Sequence, residues 1–186
     1  MTKRAANGPT PDRDDLAAAG DARAAALLAE VAATFAGTAP NIYRMLAANP
    51  AVLECFVRLE HLLERDGMLS AGEQAIVALI VADHADCQYC RAVFAKEVEA
   101  AGISMHVRRG IQQGKLPRER RLAAITHATR RILASHGRLG RAELGALERR
   151  GITRAELLEL VAIIATYKLA TYANNLARTR IDPEFR

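Results

Sequence analysis

The fold is decided by residues 69–90, which read LSAGEQAIVALIVADHADCQYC. Ser70 followed three residues later by Glu73 is a capping box, the side-chain pattern that opens a helix. An uninterrupted apolar run from Ala75 to Val81 continues this helix. Two cysteines follow just beyond the run, so the stretch predicts a helix that leads directly to a pair of thiols.

Helical patterns extend in both directions from this stretch. Before the stretch, a helix is predicted on the apolar stripe Leu27, Leu28, Val31 and Phe35, a short one over Asn41 to about Ala48, and a longer one from Pro50 to Asp66-Gly67. After it, one helix is predicted to end at Ala101, and a short one to begin at Ser104. Two more follow: one has Pro117 in its first turn and ends at Ser135, and the last begins at a second capping box formed by Thr153 and Glu156. No segment has the alternation that is typical of a strand, so the predicted fold class is all-α. Residues 1–20 are predicted to be a flexible tail, and residues 21–186 a single helical domain.

The composition narrows the function classes. Hydrophobic residues make up 51% of the 186 residues, which is enough for the core of one helical domain. The net charge of +5 comes from arginines spread along the chain in pairs, a pattern typical of a solvated surface rather than a nucleic-acid interface. No apolar run is long enough to span a bilayer, and the N-terminus lacks the apolar core of a secretory signal. We therefore expect a cytoplasmic protein that binds neither membranes nor nucleic acid.

The motif Cys87-Gln88-Tyr89-Cys90 is the strongest chemical feature of the sequence. In a reducing compartment, two cysteines three residues apart indicate either a metal site or a redox-active dithiol. A zinc site needs two further ligands; His84 could supply one, but the sequence offers no fourth, so no metal is predicted. At a helix N-terminus the backbone dipole lowers the pKa of a thiol and favours the reactive thiolate. A pair of buried, inert thiols is the remaining alternative.

The residues around this motif resemble the AhpD-like family, also known as the carboxymuconolactone decarboxylase family. The central segment runs from Leu69 through both cysteines to Ser104. Two flanking regions resemble the peroxidase-related branch of this family as well. The first is Ala39-Pro40-Asn41-Ile42-Tyr43 with Leu46-Ala47-Ala48-Asn49-Pro50. The second is Glu159 to Ala165 with Tyr172-Ala173-Asn174 and Ile181-Asp182-Pro183. The resemblance extends over roughly residues 37 to 184.

The resemblance implies a helical protomer that assembles into trimers or multiples of trimers. It also implies a thiol-dependent alkylhydroperoxidase or disulfide oxidoreductase without a cofactor, in which Cys90 attacks a peroxide or disulfide and Cys87 resolves the product to a disulfide. An external dithiol reductant then restores the pair. The long apolar C-terminal helix independently predicts a homo-oligomer, because a small helical monomer does not readily cover so much apolar surface.

Two positions depart from the pattern of the family. Its best-understood members use a proton relay made of a glutamate twelve residues before the first cysteine and a histidine four residues after the second. In this sequence those positions are Ala75 and Phe94, and neither side chain can donate or accept a proton. Two alternatives to the peroxidase therefore stay open: a lactone-decarboxylase-like enzyme, and a non-enzymatic redox-sensing or structural oligomer.

Glu73 and His84 are the candidates to replace the missing relay. Glu73 would reach Cys90 only if the chain breaks between their helices, and the alternative is that it serves as the acid of the capping box. His84 would share a helix face with Cys87 in an unbroken helix and could act as a local base; the alternative is a histidine on the surface or in a loop. The candidate catalytic residues are therefore Cys87, Cys90, Glu73 and His84.

Other residues receive structural interpretations. Tyr89 is expected to pack against its surroundings, and Tyr172 and Asn174 to tie helices or subunits together. Cys55 lies beside Phe56 on an apolar stripe and is predicted to be a small buried hydrophobe.

Overall fold

The computed structural model describes the backbone from Arg13 to Arg186 and the side chains from Asp21 onward. Its helices are α1 (Arg13–Thr34), α2 (Asn41–Leu46), α3 (Pro50–Asp66), α4 (Ala71–His84), α5 (Gln88–Ala100), α6 (Met105–Gln112), α7 (Arg120–Ser135), α8 (Arg141–Arg149) and α9 (Arg154–Ala177), followed by a short 3-10 helix at Pro183–Phe185. The described residues contain no strand, which confirms the predicted all-α class. The chain divides into two compact units, and the boundary follows Cys55.

In the first unit, α1 and α2 contact each other. Leu27 and Val31 lie one turn apart on α1, and both are buried, as their helical spacing predicts. Residues 1–12 of the predicted flexible tail lie outside the described part of the chain. From Arg13 onward the backbone is helical, so α1 includes the last eight residues assigned to that tail.

The second unit is built around α4. Every residue from Ala75 to Ala82 is buried, and α4 contacts α5, α6, α7 and α9. A helix that is apolar on all sides has no face for water, so it lies in the interior while other helices cover it. Complete burial of Ile76, Val77 and Leu79 stabilises this arrangement by about 1.5 to 3 kcal/mol for each side chain. The apolar run of the sequence is therefore the core of this unit.

Side chains cap three helices where the sequence predicts caps. The backbone N–H of Ser70 donates to the Glu73 carboxylate at 2.8 Å, and the Ser70 hydroxyl accepts from the Glu73 N–H. The N–H of Thr153 donates to the Glu156 carboxylate at 2.7 Å in the second capping box. The Ser104 hydroxyl caps α6. These contacts confirm the predicted starts of α4, α6 and α9.

Two helices differ from the prediction. The first turn of α7 does not contain Pro117: the helix begins at Arg120, because the Glu119 carboxylate accepts the N–H groups of the second and third helical residues at 2.8 and 2.6 Å. α8 has no counterpart among the predicted helices. It starts at Arg141, its N-cap Gly140 offers no side-chain cap, and it buries only Leu147 completely, so its signal in the sequence is weak.

The prediction that Cys55 is buried is wrong, because this thiol is exposed. Leu53, Phe56 and Val57 form the buried face of α3 at this point. Cys55 lies two residues after Leu53, and two residues correspond to about 200° of helix rotation, which turns its side chain to the opposite side.

An ion cluster joins the N-terminal ends of α4, α7 and α9. Nε of Arg121 lies 2.5 Å from a carboxylate oxygen of Glu73, and its Nη2 lies 2.7 Å from one of Glu156. Both acids also complete their capping boxes, so each cap is attached to a neighbouring helix through the same guanidinium. Burial by itself raises the pKa of Glu156, but hydrogen bonds from the Thr153 backbone and from Arg121 bring it below its ordinary value.

Replacing Glu156 with glutamine is expected to destabilise the fold by roughly 1 to 2 kcal/mol at neutral pH. Glutamine keeps the capping box but not the charge, so the loss reports the ion pair with Arg121, which is partly solvated. Because folding depresses the pKa of Glu156, this stabilisation is complete above the unfolded-state pKa of about 4.3 and disappears as the pH falls through the folded-state pKa. Denaturant titrations should therefore separate the two proteins at neutral pH and bring them together in acid.

The matched control is Glu148→Gln, on an exposed position of α8, which should match the wild type at both pH values. A stability loss in Glu156→Gln that stays constant from neutral to acidic pH would contradict the ion-pair explanation.

Candidate active site

The two thiols lie at a break between α4 and α5. α4 ends at His84, and α5 begins at Gln88. Between them Asp86 has a left-handed backbone conformation with a φ of 50°, which aspartate tolerates better than most residues. Cys87 is extended, with φ −89° and ψ 105°, and forms the N-cap of α5. The chain therefore presents Cys87 at a helix N-terminus, where the backbone favours a negative charge.

Cys87 is the more acidic thiol of the pair. Its Sγ accepts the backbone N–H of Cys90, with 3.4 Å between N and Sγ, and both cysteines are reduced and buried. Hydrogen-bond donation from the Cys90 thiol outweighs burial and, with the N–H groups of Cys90 and Tyr89 and the charge of Arg91, lowers the pKa of Cys87 to about 7. A substantial fraction of Cys87 is therefore thiolate at neutral pH.

Cys90 retains its proton. Its donation to Cys87, its burial and the negative charge of Cys87 raise its pKa, and the side chain of Asn174 opposes this rise. Nδ2 of Asn174 donates to Sγ of Cys90 at 3.3 Å. The reduced pair thus carries its negative charge on Cys87 and its shared proton on Cys90. The resemblance implies the opposite order, with Cys90 as the attacking thiolate.

Arg91 stabilises the turn between α4 and α5 that positions the two thiols. Its Nε lies 2.8 Å from a carboxylate oxygen of Asp83, and its Nη1 lies 2.5 Å from one of Asp86. From α9, Nδ2 of Asn175 donates to the carbonyl oxygen of Ala85 at 2.8 Å. The turn before Cys87 is therefore held from both sides.

The C-terminal segment contacts the motif directly. The Tyr89 hydroxyl donates to the Asp182 carboxylate at 2.7 Å, and both residues are buried. The sequence predicts packing for Tyr89, and the structure adds this polar contact, which fixes the first turn of α5 to the chain beyond α9.

Asn174 is the residue at the thiols that sequence reasoning did not assign to the site. It is 2% exposed, and within the described residues its Oδ1 has no hydrogen-bond partner. An amide buried at this cost is expected where its other end has a specific task, and here that end donates to Cys90. The one signal in the sequence is the Tyr172-Ala173-Asn174 segment, which we interpreted as a tie between helices or subunits.

The structure does not bring Glu73 or His84 into contact with the thiols. Glu73 lies at the start of α4, and the thiols follow its end, about 20 Å away along the axis. Its carboxylate binds Arg121 and the cap. His84 is exposed and lines a cavity of about 220 Å³ together with Asp83 and Arg130. The break after α4 removes the shared helix face on which its role as a base for Cys87 depends, so both roles stay predictions.

A second cavity, of about 360 Å³, contains two carboxylates and a phenol: Glu64, Glu97 and Tyr167. Ala75, one of the two positions that depart from the family pattern, lines the same cavity. Phe94, the other, packs edge-on against Tyr167, with 4.7 Å between ring centroids and an interplanar angle of 70°. Both departures therefore adjoin Tyr167.

Two solved structures share this arrangement of helices. One is the crystal structure of the alkylhydroperoxidase AhpD core of an uncharacterized peroxidase-related protein from Ralstonia eutropha JMP134, which superposes with a TM-score of 0.75 at 21% identity over 96% of this chain and 93% of that one. This chain has the AhpD-like fold. The other is an uncharacterized peroxidase-related protein from Silicibacter sp. TM1040, which superposes with a TM-score of 0.71 at 16% identity over 96% of this chain and 93% of that one. At these identities the AhpD-like likeness concerns the fold alone.

No protein-family profile matches the sequence, and no curated protein is similar to it. Among the described residues, no group of three His, Cys, Asp or Glu side chains is arranged to hold a metal ion. Within the same part of the chain, every helix is too short or too polar to span a membrane.

Proposed function

We propose that the chain is a thiol-dependent alkylhydroperoxidase and disulfide oxidoreductase that uses Cys87 and Cys90. One observation carries the proposal: at the N-cap of α5 the Cys87 sulfur lies 3.4 Å from the backbone nitrogen of Cys90, and hydrogen bonding with Cys90 lowers the pKa of Cys87 to about 7. An inert pair of buried thiols would have its pKa values raised by burial. The AhpD-like fold of two peroxidase-related proteins supports the same chemistry.

The reaction begins with the Cys87 thiolate. Its sulfur attacks the hydroperoxide, the O–O bond breaks, and the alkoxide leaves as an alcohol after taking a proton. Cys87 is then a sulfenic acid. The sulfur of Cys90 attacks it, the S–O bond breaks, water leaves, and a disulfide joins the pair. An external dithiol restores both thiols by exchange, and Cys87 is the better leaving group because its pKa is lower. The thiols carry all the electrons, so the cycle needs no cofactor.

Cytoplasmic thiol chemistry suits this cycle, because a reducing compartment keeps the pair available between turnovers. The test is consumption of an organic hydroperoxide with dithiothreitol or a dihydrolipoyl donor as the reductant. Catalytic consumption with an alcohol product would support the proposal. Absence of turnover, with both thiols readily alkylated, would overturn the peroxidase activity and leave a disulfide reductase, a redox sensor or a decarboxylase-like enzyme to be tested.

We also propose that the protein works as a homo-oligomer, a trimer or a multiple of one. α9 carries an apolar stripe of exposed residues: Leu158, Val161, Tyr172 and Leu176 are 72%, 45%, 58% and 88% exposed. Their spacing places them on one side of the helix. Contiguous exposed apolar surface of this kind is typical of protein–protein interfaces, and a second copy of the chain is the partner we propose.

The double variant Leu158→Lys, Leu176→Lys is expected to lower the molecular mass observed by analytical ultracentrifugation, because it places two charges in the proposed interface. Met105→Lys is the control, since Met105 is an exposed apolar residue as well, at 50%, but lies on α6. A wild type that sediments as a monomer at micromolar concentration would contradict the proposal.

A further inference from the structure

We propose that Glu97, acting through the Tyr167 hydroxyl, accepts the proton of the Cys90 thiol. The inference deepens the proposed function and rests on it, because it concerns the second thiol of the same dithiol. Cys90 has to lose its proton before its sulfur can bond to Cys87. The positions where the resemblance places a proton relay are Ala75 and Phe94, so that proton must leave by another route.

The geometry of α5 directs this route toward the cavity. Glu97 lies seven residues after Cys90, which is almost two full helical turns, so both side chains leave the same face of α5. They are separated by about 10 Å along the helix axis. Phe94 occupies the turn between them and packs against Tyr167 from α9. Tyr167 also lines the cavity with Glu97, so this residue contacts Phe94, in the turn between the two α5 side chains, and shares a cavity with Glu97.

The electrostatic interactions follow the same path. Burial raises the pKa of Tyr167, and the charges of Glu60, Glu97, Glu64 and Cys90 raise it further. Its hydroxyl therefore keeps its proton at neutral pH, and it interacts electrostatically with both the carboxylates and the thiol. After donation to Cys87, burial and the charge of Cys87, the charge of Glu97 also contributes to the raised pKa of Cys90.

Glu97 has the acidity that a proton acceptor needs near neutral pH. The protein around the cavity and the charge of Glu64 raise its pKa to about 7, although its side chain still meets solvent through the open side of the cavity. Acid–base groups work best when their pKa lies near the working pH. The titratable groups that interact with Glu97 are Glu64 on α3, Cys90 on α5 and Tyr167 on α9, and Glu60 on α3 acts on Tyr167; α4 contributes only uncharged side chains to the cavity.

The step balances as follows in protons. The Cys90 thiol gives its proton to the Tyr167 oxygen while the Tyr167 hydroxyl gives its own to Glu97. The Cys90 sulfur then bonds to the Cys87 sulfenic sulfur, and hydroxide leaves as water after taking a proton from solvent. Glu97 returns its proton to solvent through the open side of the cavity. Glu97 acts through Tyr167 and does not touch the reacting sulfurs.

The test follows alkylation of Cys90 by iodoacetamide against pH in the double variant Cys55→Ser, Cys87→Ser, where Cys90 is the single thiol. With Glu97 present, we expect reactivity to rise in a step near pH 7, as the carboxylate becomes able to accept the proton. Adding Glu97→Gln should remove the step and slow alkylation at neutral pH about tenfold, the low end for acid–base catalysis because the transfer is indirect. Tyr167→Phe should do the same while keeping the ring that packs on Phe94.

Glu97→Asp should keep the step, and Glu64→Gln should move it to lower pH, because the Glu64 charge raises the pKa of Glu97. Ala75→Glu is expected to restore the step in the Glu97→Gln background, since residue 75 lines the same cavity. Glu99→Gln, an exposed change two residues along α5, is the matched control and should leave the profile unchanged.

Faster rather than slower alkylation of Cys90 in the Glu97→Gln variant would overturn the role of Glu97. If Glu97 only repels the Cys90 thiolate, Glu97→Gln lowers the pKa of Cys90 and speeds alkylation at neutral pH. Because alkylation uses no peroxide, the two proposals fail separately. A lost step in a protein that consumes no hydroperoxide supports the role of Glu97 and overturns the peroxidase. If the rise in alkylation near pH 7 is unchanged by Glu97→Gln and the wild type does consume hydroperoxide, the role of Glu97 alone is overturned.

Discussion

Replacing Cys87 with serine is expected to reduce hydroperoxide turnover to the background rate of the reductant alone. The thiolate is the nucleophile, and Cys87 is the thiol that the N-cap and the Cys90 thiol make acidic. Cys90→Ser should also stop steady-state turnover, but after a first reaction that leaves Cys87 as a sulfenic acid, because the resolving thiol is gone. The measurement combines hydroperoxide consumption with trapping of sulfenic acid by dimedone and peptide mass spectrometry.

Cys55→Ser is the control, since Cys55 is an exposed thiol in the first unit and should leave turnover unchanged. Trapped sulfenic acid on Cys90 in Cys87→Ser, with Cys90→Ser inert, would reverse the order of the two thiols and restore the one that the resemblance implies. Turnover that survives both substitutions would contradict the dithiol mechanism altogether.

Asn174→Leu is expected to slow disulfide formation roughly ten- to a hundredfold while leaving the folding stability nearly unchanged. Nδ2 of Asn174 donates to the Cys90 sulfur at 3.3 Å, and this hydrogen bond lowers the pKa of Cys90. A hydrogen bond to a charged group is worth about 1.5 to 3 kcal/mol, and each 1.36 kcal/mol corresponds to a factor of about ten. Stability is retained because leucine fills a similar volume and removes an unsatisfied buried oxygen.

The two readouts separate chemistry from packing. Disulfide formation is followed by stopped-flow thiol loss after one equivalent of hydroperoxide, and stability by thermal unfolding of the reduced protein. Asn175→Leu is a matched comparison, since the neighbouring amide binds the Ala85 carbonyl and not a thiol. A rate loss that parallels a loss of stability would assign Asn174 a structural role only, and an unchanged rate would remove it from the site.

Local sequence patterns were sufficient for most of the fold. A capping box specifies its helix start through contacts between residues three apart, so Ser70 and Thr153 predicted α4 and α9 directly. The apolar run after Ser70 likewise identified the helix that the second unit buries. Prediction failed where the local signal is weak or ambiguous: α8 has no side-chain cap, and the side of α3 that carries Cys55 was assigned to the core although its neighbours Leu53 and Phe56 face the other way.

The candidate site was only partly predictable because its contacts are distant in sequence. The spacing of Cys87 and Cys90 identified the thiols, but Asn174 is 84 residues from Cys90, and Asp182 is 93 residues from its partner Tyr89. Such contacts depend on how α9 and the C-terminal segment pack on α5. The sequence also leaves open whether the helix breaks before α5, since the break depends on a left-handed residue other than glycine.

The break also removes the continuous helix from which the role of His84 as a base for Cys87 was inferred. Helix periodicity relates residues only along a continuous helix, and α4 ends at His84. Glu97 was not considered, because its proximity to Tyr167 arises from the packing of α5 against α9.

The most direct test of the central claim is a single turnover of the reduced protein with one equivalent of organic hydroperoxide. We expect one equivalent of alcohol per dithiol and a protein that is lighter by two hydrogen atoms, with the Cys87 and Cys90 sulfurs joined in one peptide. Unconsumed hydroperoxide, with both thiols still open to alkylation, would contradict it.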